Sequence, residues 1–496
     1  MDTQKKIYRD SLALLTDFYE LTMAYGYWKS GMADIEAAFH LSFRENPFGG
    51  GFTVAAGLEY VLEYFADFSF DPSDLEYLSG IRDRKGKPML EPEFLRYLGG
   101  LKLSCNVDAV PEGTIIFPQE PLLKIQGPLL QCQILESVLL NILNFQSLIA
   151  TKAARVVLAA EGDPVLEFGL RRAQGFDGAL AASRAAYIGG CAATSNVLAG
   201  KLFGIPVAGT HSHSWVMAFD SEEEAFAQYA RILPDNCIFL VDTYQTLPGV
   251  RHAVQTAAEL RERGSEMVGI RLDSGDLAAL SREARKILDD YGFPKAQIVA
   301  SNELDEHIIE SLKHQGAKID VWGVGTKLVT AFDQPALGGV YKLSALRKSG
   351  GQWDYKMKIS DQALKTSTPG ILQVRRFRRG GENVADAIIE EGASPQGECV
   401  IVDPGDSTHR EVVPADAEHE DLLAPVVRAG KVVVSPVPLE TIRKKTAENL
   451  AAFPSGIKRF IYPHRYPVGL ELGLYRKKLT TALRNSKRHA EQDKEM

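Results

Sequence analysis

The reading of this chain turns on the stretch from Val165 to Thr326. Short apolar runs recur there: Val165-Leu-Glu-Phe168, Ile205-Pro-Val-Ala208, Ile238-Phe-Leu-Val241, Val268-Gly-Ile-Arg-Leu272, Ile298-Val-Ala300 and Ile319-Asp-Val-Trp-Gly-Val324. Each is too short for a stable helix and rich in β-branched residues, so each reads as a buried strand. Helix-like sequence fills most of the gaps. Parallel strands need a crossover between them, and a strand every twenty to forty residues or so is the spacing of βα units. Polar residues follow each run: Arg171 and Arg172 the first, His211 and His213 the second, Asp242 the third. Arg271, Asp273 and Asp276 mark the fourth, Ser301 and Asn302 the fifth, and Gly323-Val-Gly-Thr326 the sixth. Ligands of parallel β/α folds sit at the carboxyl ends of the strands, so these residues are the candidate site.

Outward from this stretch the pattern changes. Leu12 to Trp28 sets Leu15, Phe18, Tyr19, Leu21 and Tyr25 at helical spacing, and Asp17 and Tyr19 read as structural if taken alone. Ile35–Phe43 reads as a strand, followed by Arg44 and the turn Asn46-Pro-Phe-Gly-Gly-Gly51. The runs Val107–Val110, Thr114–Phe117 and Leu122–Gln126 are broken by prolines and glycines, which favours a small antiparallel sheet. Gln131–Ala160 is a long apolar helix leading into the barrel. Beyond Thr326, Gly338–Leu346, Tyr355–Ile359 and Ile371–Phe377 are expected strands that rejoin the early β segment. The run Arg375, Arg376, Arg378 and Arg379 reads more simply as a solvated hairpin than as a phosphate site. Glu440–Ala451 and Leu474–Glu491 read as surface helices.

Composition bounds the function. With 496 residues, 45% hydrophobic and 24% charged, the chain has the make-up of a globular protein with an ample core. Its net charge of −8 argues against a general nucleic-acid binder without excluding a local anion site. Five cysteines without paired spacing point to a reducing compartment and no disulfide framework. No uninterrupted apolar run reaches the ~20 residues of a membrane span, and Met1 to Asp10 is polar; the expected location is the cytoplasm.

The strand ends suggest chemistry. In Arg271-Leu-Asp-Ser-Gly-Asp276, two carboxylates flank a Ser-Gly turn. They could hold a ribose diol or a Mg²⁺ carried by phosphates, and the arginine could pair with phosphate or carboxylate. Asp276 is also well placed to cap the following helix. Gly323-Val-Gly-Thr326 resembles a phosphate cup of bare backbone amides, although a plain strand-to-helix turn explains it as well. His211 and His213, two apart, would face one side of an extended strand end. They could be metal ligands, a hydrogen-bonded pair, or one nucleophile or base beside a spectator. No third ligand has zinc-like spacing, and nucleophilic or acid–base work ranks first.

At this point the chain resembles a known family. Thr16-Asp-Phe-Tyr-Glu-Leu-Thr22, Asn46-Pro-Phe-Gly49, Glu167-Phe-Gly-Leu-Arg-Arg172, Gly209-Thr-His-Ser-His-Ser214 and Arg271–Asp276 occur in the order found in nicotinate phosphoribosyltransferases. The resemblance spans Leu12 to about Leu343. It implies a type II phosphoribosyltransferase of α/β class: an irregular parallel β/α barrel over 131–344 and a discontinuous, β-rich α+β domain from 1–130 and 345–430. A C-terminal helical extension over 431–496 completes the expected organisation. The implied enzyme is a homodimer with active sites at the subunit interface, in the NAD biosynthesis and salvage route. It joins nicotinate to phosphoribosyl pyrophosphate, giving nicotinate mononucleotide and pyrophosphate, with Mg²⁺ and with ATP as co-substrate.

The resemblance also implies roles. Phe168 stacks on the pyridine ring against Tyr19 of a second subunit, and Arg171 contacts the substrate near the ring. His213 is the histidine phosphorylated by ATP, with Asp242 as its supporting carboxylate. Asp273 and Asp276 serve ribose and the Mg²⁺-pyrophosphate, and Arg271 is a further substrate-binding residue. Gly323, Gly325 and Thr326 seat the 5′-phosphate, with Arg44 and Lys342 as further phosphate contacts. Nicotinamide-using relatives carry an aspartate where Ser195 aligns, and a carboxylate substrate would be repelled by that aspartate. Two readings compete: nicotinamide or quinolinate as the acceptor, and a catalytically silent nucleotide-binding barrel. His211 has no assigned role.

Overall fold

The computed structural model describes residues 11–360, 366–393 and 398–495; the polar start at Met1–Asp10 lies outside the described residues. Three large sheets organise the described residues, beside a small pair of Thr53–Val54 with Ile115–Ile116. The strands of the parallel sheet are β1 (Val165–Glu167), β2 (Ala193–Thr194), β3 (Ile238–Leu240), β4 (Gly269–Leu272), β5 (Gln297–Asn302) and β6 (Val321–Val324). They stand in the order β2-β1-β6-β5-β4-β3. Thr194 also forms a parallel bridge with Val207, which adds the segment before His211 to the free side of β2. The expected strand Ile205–Ala208 shrinks to that bridge, since Pro206 has no amide to donate. The two-residue strand β2 had no apolar run long enough to announce it.

The helices between the strands form the outer layer. Close approach is built in: a Cβ on Gly249 of the helix Thr246–Glu262 would fall 2.1 Å from the Val241 carbonyl oxygen, so only glycine lets this helix lie on the strand end. The helical run Leu129–Ala159 is long and apolar enough to cross a membrane by composition, which no uninterrupted apolar run had indicated. In the fold it is a core helix, with 61% of its most apolar window buried. Two of its charges are paired inside the fold. Lys152 and Arg155, both essentially buried, pair with buried Glu306 at 2.7 Å.

The second sheet is antiparallel and seven-stranded, with Glu36–Phe43 lying between Gly339–Arg347 and Leu123–Pro128. Ala424–Arg428 and Lys431–Val432 return to its far edge. The strand expected at Tyr355–Ile359 reduces to Asp354–Tyr355.

The third sheet corrects three expectations. The strand expected at Ile371–Phe377, observed as Leu372–Arg379, does not rejoin the second sheet; paired with Glu382–Glu390, it belongs to a separate six-stranded sheet. The C-terminal region is not purely helical, because Val468–Glu471 pairs into this sheet beside Asp386–Ile388. The arginine run is likewise not a uniformly solvated hairpin. Arg376 is 3% exposed; it donates to the carboxylate of Asp386, directly across the strand pair, and to the Ile115 carbonyl oxygen at 2.7 Å. The Tyr466 hydroxyl donates to the same carboxylate at 3.0 Å. Arg375, by contrast, pairs with Asp421, whose carboxylate is 40% exposed.

These two neighbours should behave differently. Arg376→Met leaves Asp386 as an uncompensated buried charge, so it should cost about 3–5 kcal/mol in chemical denaturation. Arg375→Met leaves the exposed Asp421 carboxylate to water and should cost less than about 1 kcal/mol. Equal effects would show that the buried pair does not hold the third sheet.

Candidate active site

The site grows from the end of β4. Gly275, at φ +79°, makes the sharp turn that follows Arg271-Leu-Asp-Ser, and Asp276 caps the helix Leu277–Asp290 by accepting from the Ala279 amide at 3.0 Å. The capping role of Asp276 therefore holds. Arg271 points sideways along the rim. Its Nε donates to Ser301 Oγ on β5 at 2.8 Å, Nη2 to Asp273 Oδ1 at 2.8 Å and Nη1 to Thr210 Oγ1 at 3.3 Å. The guanidinium carbon is 5.8 Å from the centre of the Phe168 ring. One side chain thus joins the ends of β4 and β5 to the histidine loop and faces the aromatic ring.

Asp273 is the hub on the acidic side. Burial alone would raise its pKa. The hydrogen bond from Ser301 and the charges of Arg271 and His213 outweigh that and hold it below its ordinary value. Its other oxygen, Oδ2, lies 3.7 Å from His213 Nε2. His213 opens the short helix His213–Met217, and its Nδ1 lies 3.2 Å from Thr243 Oγ1. The carboxylate next to His213 is therefore Asp273. Asp242, the expected supporting carboxylate, meets the loop after β4 rather than the imidazole: its Oδ2 accepts from the Asp273 amide at 2.9 Å and the Ser274 hydroxyl at 2.6 Å. Asp242 braces the loop that carries Asp273, and so acts on His213 at one remove.

Phe168 follows β1, and its amide donates to the Val324 carbonyl at 2.8 Å. A Cβ on Gly323 would fall 2.7 Å from the Phe168 ring, and one on Gly325 would fall 3.2 Å from the Phe168 carbonyl oxygen. The glycines of Gly323-Val-Gly-Thr326 thus make room for the aromatic residue. Gly325 then precedes the short helix Thr326–Val329 and accepts from the Leu328 and Val329 amides at 3.2 Å. Thr326 Oγ1 contacts Glu303 at 3.4 Å. Ser195 continues from β2 beside β1, its amide donating to the Glu167 carbonyl at 2.9 Å. Arg171 lies exposed in the turn Leu170–Arg172 and makes no ion pair with any described residue.

Several participants had not been read from the sequence. Thr243 and Thr210 lie beside residues that had been singled out. Ser301 had been placed at a strand end without a role. Buried Glu167 accepts from the Gly169 amide, from Ser183 Oγ at 2.8 Å and from Thr194 Oγ1 at 2.6 Å, so it anchors the turn after Phe168. A carboxylate inside an apolar run was the available signal. Asn302, next to Ser301, takes φ +132°, an unusual backbone for a non-glycine residue at the rim.

Three candidates lie elsewhere in the chain. Tyr19, 46% exposed on the helix Phe18–Lys29, borders a hollow with Leu15, Asp17 and Ser137. Arg44 and Lys342 line a cleft with His40, Ser42, Ser367 and Thr368. Among the described residues, no rim residue lines either hollow.

Comparison with known proteins agrees over nearly the whole chain. The profile of the nicotinate phosphoribosyltransferase (NAPRTase) N-terminal domain matches residues 14–144, that of the NAPRTase family residues 165–380, and that of the C-terminal domain residues 373–478. A nicotinate phosphoribosyltransferase of Bacillus subtilis is 42% identical over 466 residues, covering 93% of each chain. One from Mycobacterium tuberculosis is 44% identical over 390 residues, 79% of this chain and 81% of the relative. The crystal structure of human nicotinic acid phosphoribosyltransferase superposes with a TM-score of 0.81 at 32% identity, covering 94% of this chain and 99% of that one.

The brace at Asp242 can be tested apart from any ligand. Asp242→Ala frees the Asp273 amide and the Ser274 hydroxyl. Amide hydrogen exchange across 273–276 should then speed up about tenfold or more, as expected for losing a charge-assisted hydrogen bond worth ~1.5–3 kcal/mol. Unchanged exchange would mean that the loop is held by something else.

Proposed function

The chain belongs to the nicotinate phosphoribosyltransferase family, a transferase family of NAD biosynthesis, and we propose that its barrel rim joins nicotinate to phosphoribosyl pyrophosphate with ATP hydrolysis coupled through His213. The observation that carries this reading is the convergence on Arg271, which links Asp273, Ser301 and the histidine loop beside Phe168.

The pyridine ring lies on Phe168, with the glycine backbone of Gly323 leaving room behind it. Arg171, exposed and without an ion pair among the described residues, meets the substrate carboxylate. Ser195 is neutral and tolerates that carboxylate where an acidic residue would repel it. The 5′-phosphate sits on the backbone of Gly323, Gly325 and Thr326. As the ring nitrogen attacks C1, the bond to pyrophosphate breaks; positive charge grows on the ribose and negative charge on the leaving group. The depressed pKa of Asp273 keeps a carboxylate ionised beside the ribose, and Asp276, with one oxygen used in capping, offers the other to the diol or to the metal.

Among the described residues no group of three or more His, Cys, Asp or Glu side chains converges to cage a metal. Asp273 and Asp276 instead suit a Mg²⁺ that arrives on the pyrophosphate and takes only one or two carboxylates from the protein. When bound, that ion neutralises the leaving group.

For the ATP half, a His213 ring nitrogen attacks the γ-phosphorus. An N–P bond forms, the bond to ADP breaks, and the histidine proton is lost. Thr243 and Asp273 orient the ring for this step. The added phosphoryl charge lies beside the pocket, where later hydrolysis to phosphate is coupled to its opening.

A homodimer accounts for the residues left out of the rim. Leu15, Phe18 and Tyr19 form one exposed apolar face, and Val197, Leu198 and Leu202, on the helix after Ser195, form another. A second copy that laid the first face on the second would bring its Tyr19 to the pyridine ring and cover both. The same arrangement lets Arg44 and Lys342 serve phosphates. Burial holds the Lys342 ammonium below its ordinary value; Glu136 opposes this, and Lys358 and Arg44 add to it. Such crowded cations favour an anion between them.

The direct test is turnover of nicotinate or nicotinamide with phosphoribosyl pyrophosphate and Mg²⁺, with and without ATP. Nicotinate mononucleotide should form from nicotinate, faster with ATP, and His213→Ala should abolish the ATP stimulation. Failure to form the mononucleotide under any of these conditions would refute the reading. Ser195→Asp should lower kcat/KM for nicotinate at least about tenfold by like-charge repulsion; an unchanged value would move the selectivity elsewhere.

A further inference from the structure

His211 takes no part in the reaction above, yet it is the more enclosed of the two histidines, at 8% exposure. Its ring packs edge-on against Tyr229, with centres 4.8 Å apart, and lies 6.1 Å from Phe226. Both belong to the helix Glu222–Ile232 that covers it. Burial, opposed by the Ser212 carbonyl and helped by the charges of Arg271 and His213, lowers its pKa to about 4, so the ring is neutral near pH 7. Its Nε2 accepts a hydrogen bond from the Leu240 amide of β3 at 3.2 Å. The ring proton then sits on Nδ1, 3.4 Å from the Ser212 carbonyl oxygen.

The position of this bond gives it meaning. The parallel sheet ends at β3 on one side and, beyond β2, at the segment around Val207 on the other. Among the described residues no backbone hydrogen bond joins these two edges. Leu240 is 1% exposed, and its amide would be an orphan without the imidazole. A side chain thus closes the ring of strands where a ladder bond is missing. On either side of the closure stand His213, its hydrogen-bond partner Thr243, and Asp242, which braces the Asp273 loop. His213 follows His211 by two residues; Asp242 and Thr243 follow Leu240 by two and three.

We infer that His211 is a positioning residue: its bond to the Leu240 amide fixes the histidine loop against β3 and so sets His213 on Thr243 and Asp273 for phosphorylation. This rests on the proposed ATP coupling through His213 and adds the element that holds the nucleophile. Because the clasp spans the seam between two strand edges, its loss shifts His213 without touching ATP or nicotinate. A displacement of ~1 Å at a nucleophile costs on the order of a hundredfold in rate.

The test is the initial rate at which γ-labelled ATP transfers acid-labile label to the full-length protein, with His213→Ala as the unlabelled control. His211→Phe keeps the packing on Tyr229 but removes the acceptor, and labelling should fall about ten- to a hundredfold. His211→Gln returns an acceptor oxygen at similar reach, and labelling should recover to within about fivefold of wild type. Melting temperatures of the two variants separate positioning from a merely structural role, which would lower labelling in step with stability and would show no rescue by glutamine. Wild-type labelling rates in His211→Phe, or equal losses in both variants, would overturn this inference alone. Absence of label in the wild type would overturn the ATP coupling and this inference with it.

Discussion

Arg271 carries a permanent charge on a side chain only 15% exposed, so its donors must be answered within the fold. The answers come from different elements: Ser301 at the end of β5, Asp273 beyond β4, and Thr210 in the histidine loop. The remaining face of the guanidinium looks to Phe168 after β1. A pairing requirement that any buried guanidinium imposes thereby becomes the geometry of the rim. Charge-assisted bonds of this kind are roughly twice as strong as neutral ones, which suits them to hold loops that backbone ladders no longer reach.

The second constraint is steric. The rim is crowded enough that side chains are excluded at chosen places: Gly323 gives way to the Phe168 ring, and Gly249 lets a helix settle on Val241. Glu167 fixes the turn after Phe168 from below through Ser183 and Thr194. The site is thus built on strand ends rather than on long loops, and the groups that hold it are themselves buried. Preorganisation of this sort is what a displacement at C1 requires, since the stabilising charges must stand ready before the bond breaks.

How much of this was legible follows from what each feature depends on. Local features were readable: apolar runs at βα spacing marked five of the six barrel strands, and the Asp276 cap and the Gly-rich end of β6 follow from neighbours in sequence. Features that depend on distant partners were not. Asp242 reads as a partner for the histidine until the fold brings Asp273 between them. Arg376 looks like one of several surface arginines, and only the pairing with Asp386 across the hairpin and the arrival of Ile115 and Tyr466 bury it. The role of His211 depends on where the two sheet edges meet, and no periodicity reveals that. Tyr19 matched by motif, yet it lies on the helix Phe18–Lys29 and borders a hollow of its own, while Arg44 and Lys342 line a separate cleft, and nothing local in the sequence places these residues.

The central claim is that one ribosyl phosphate is gathered at the carboxyl ends of the barrel strands around Arg271. A crystal structure with nicotinate mononucleotide bound tests it most directly. The account predicts the pyridine ring on Phe168, the ribose beside Asp273 and the phosphate on the backbone of Gly323–Thr326. A mononucleotide seated instead wholly within the cleft lined by Arg44 and Lys342, with the barrel rim empty, would contradict it.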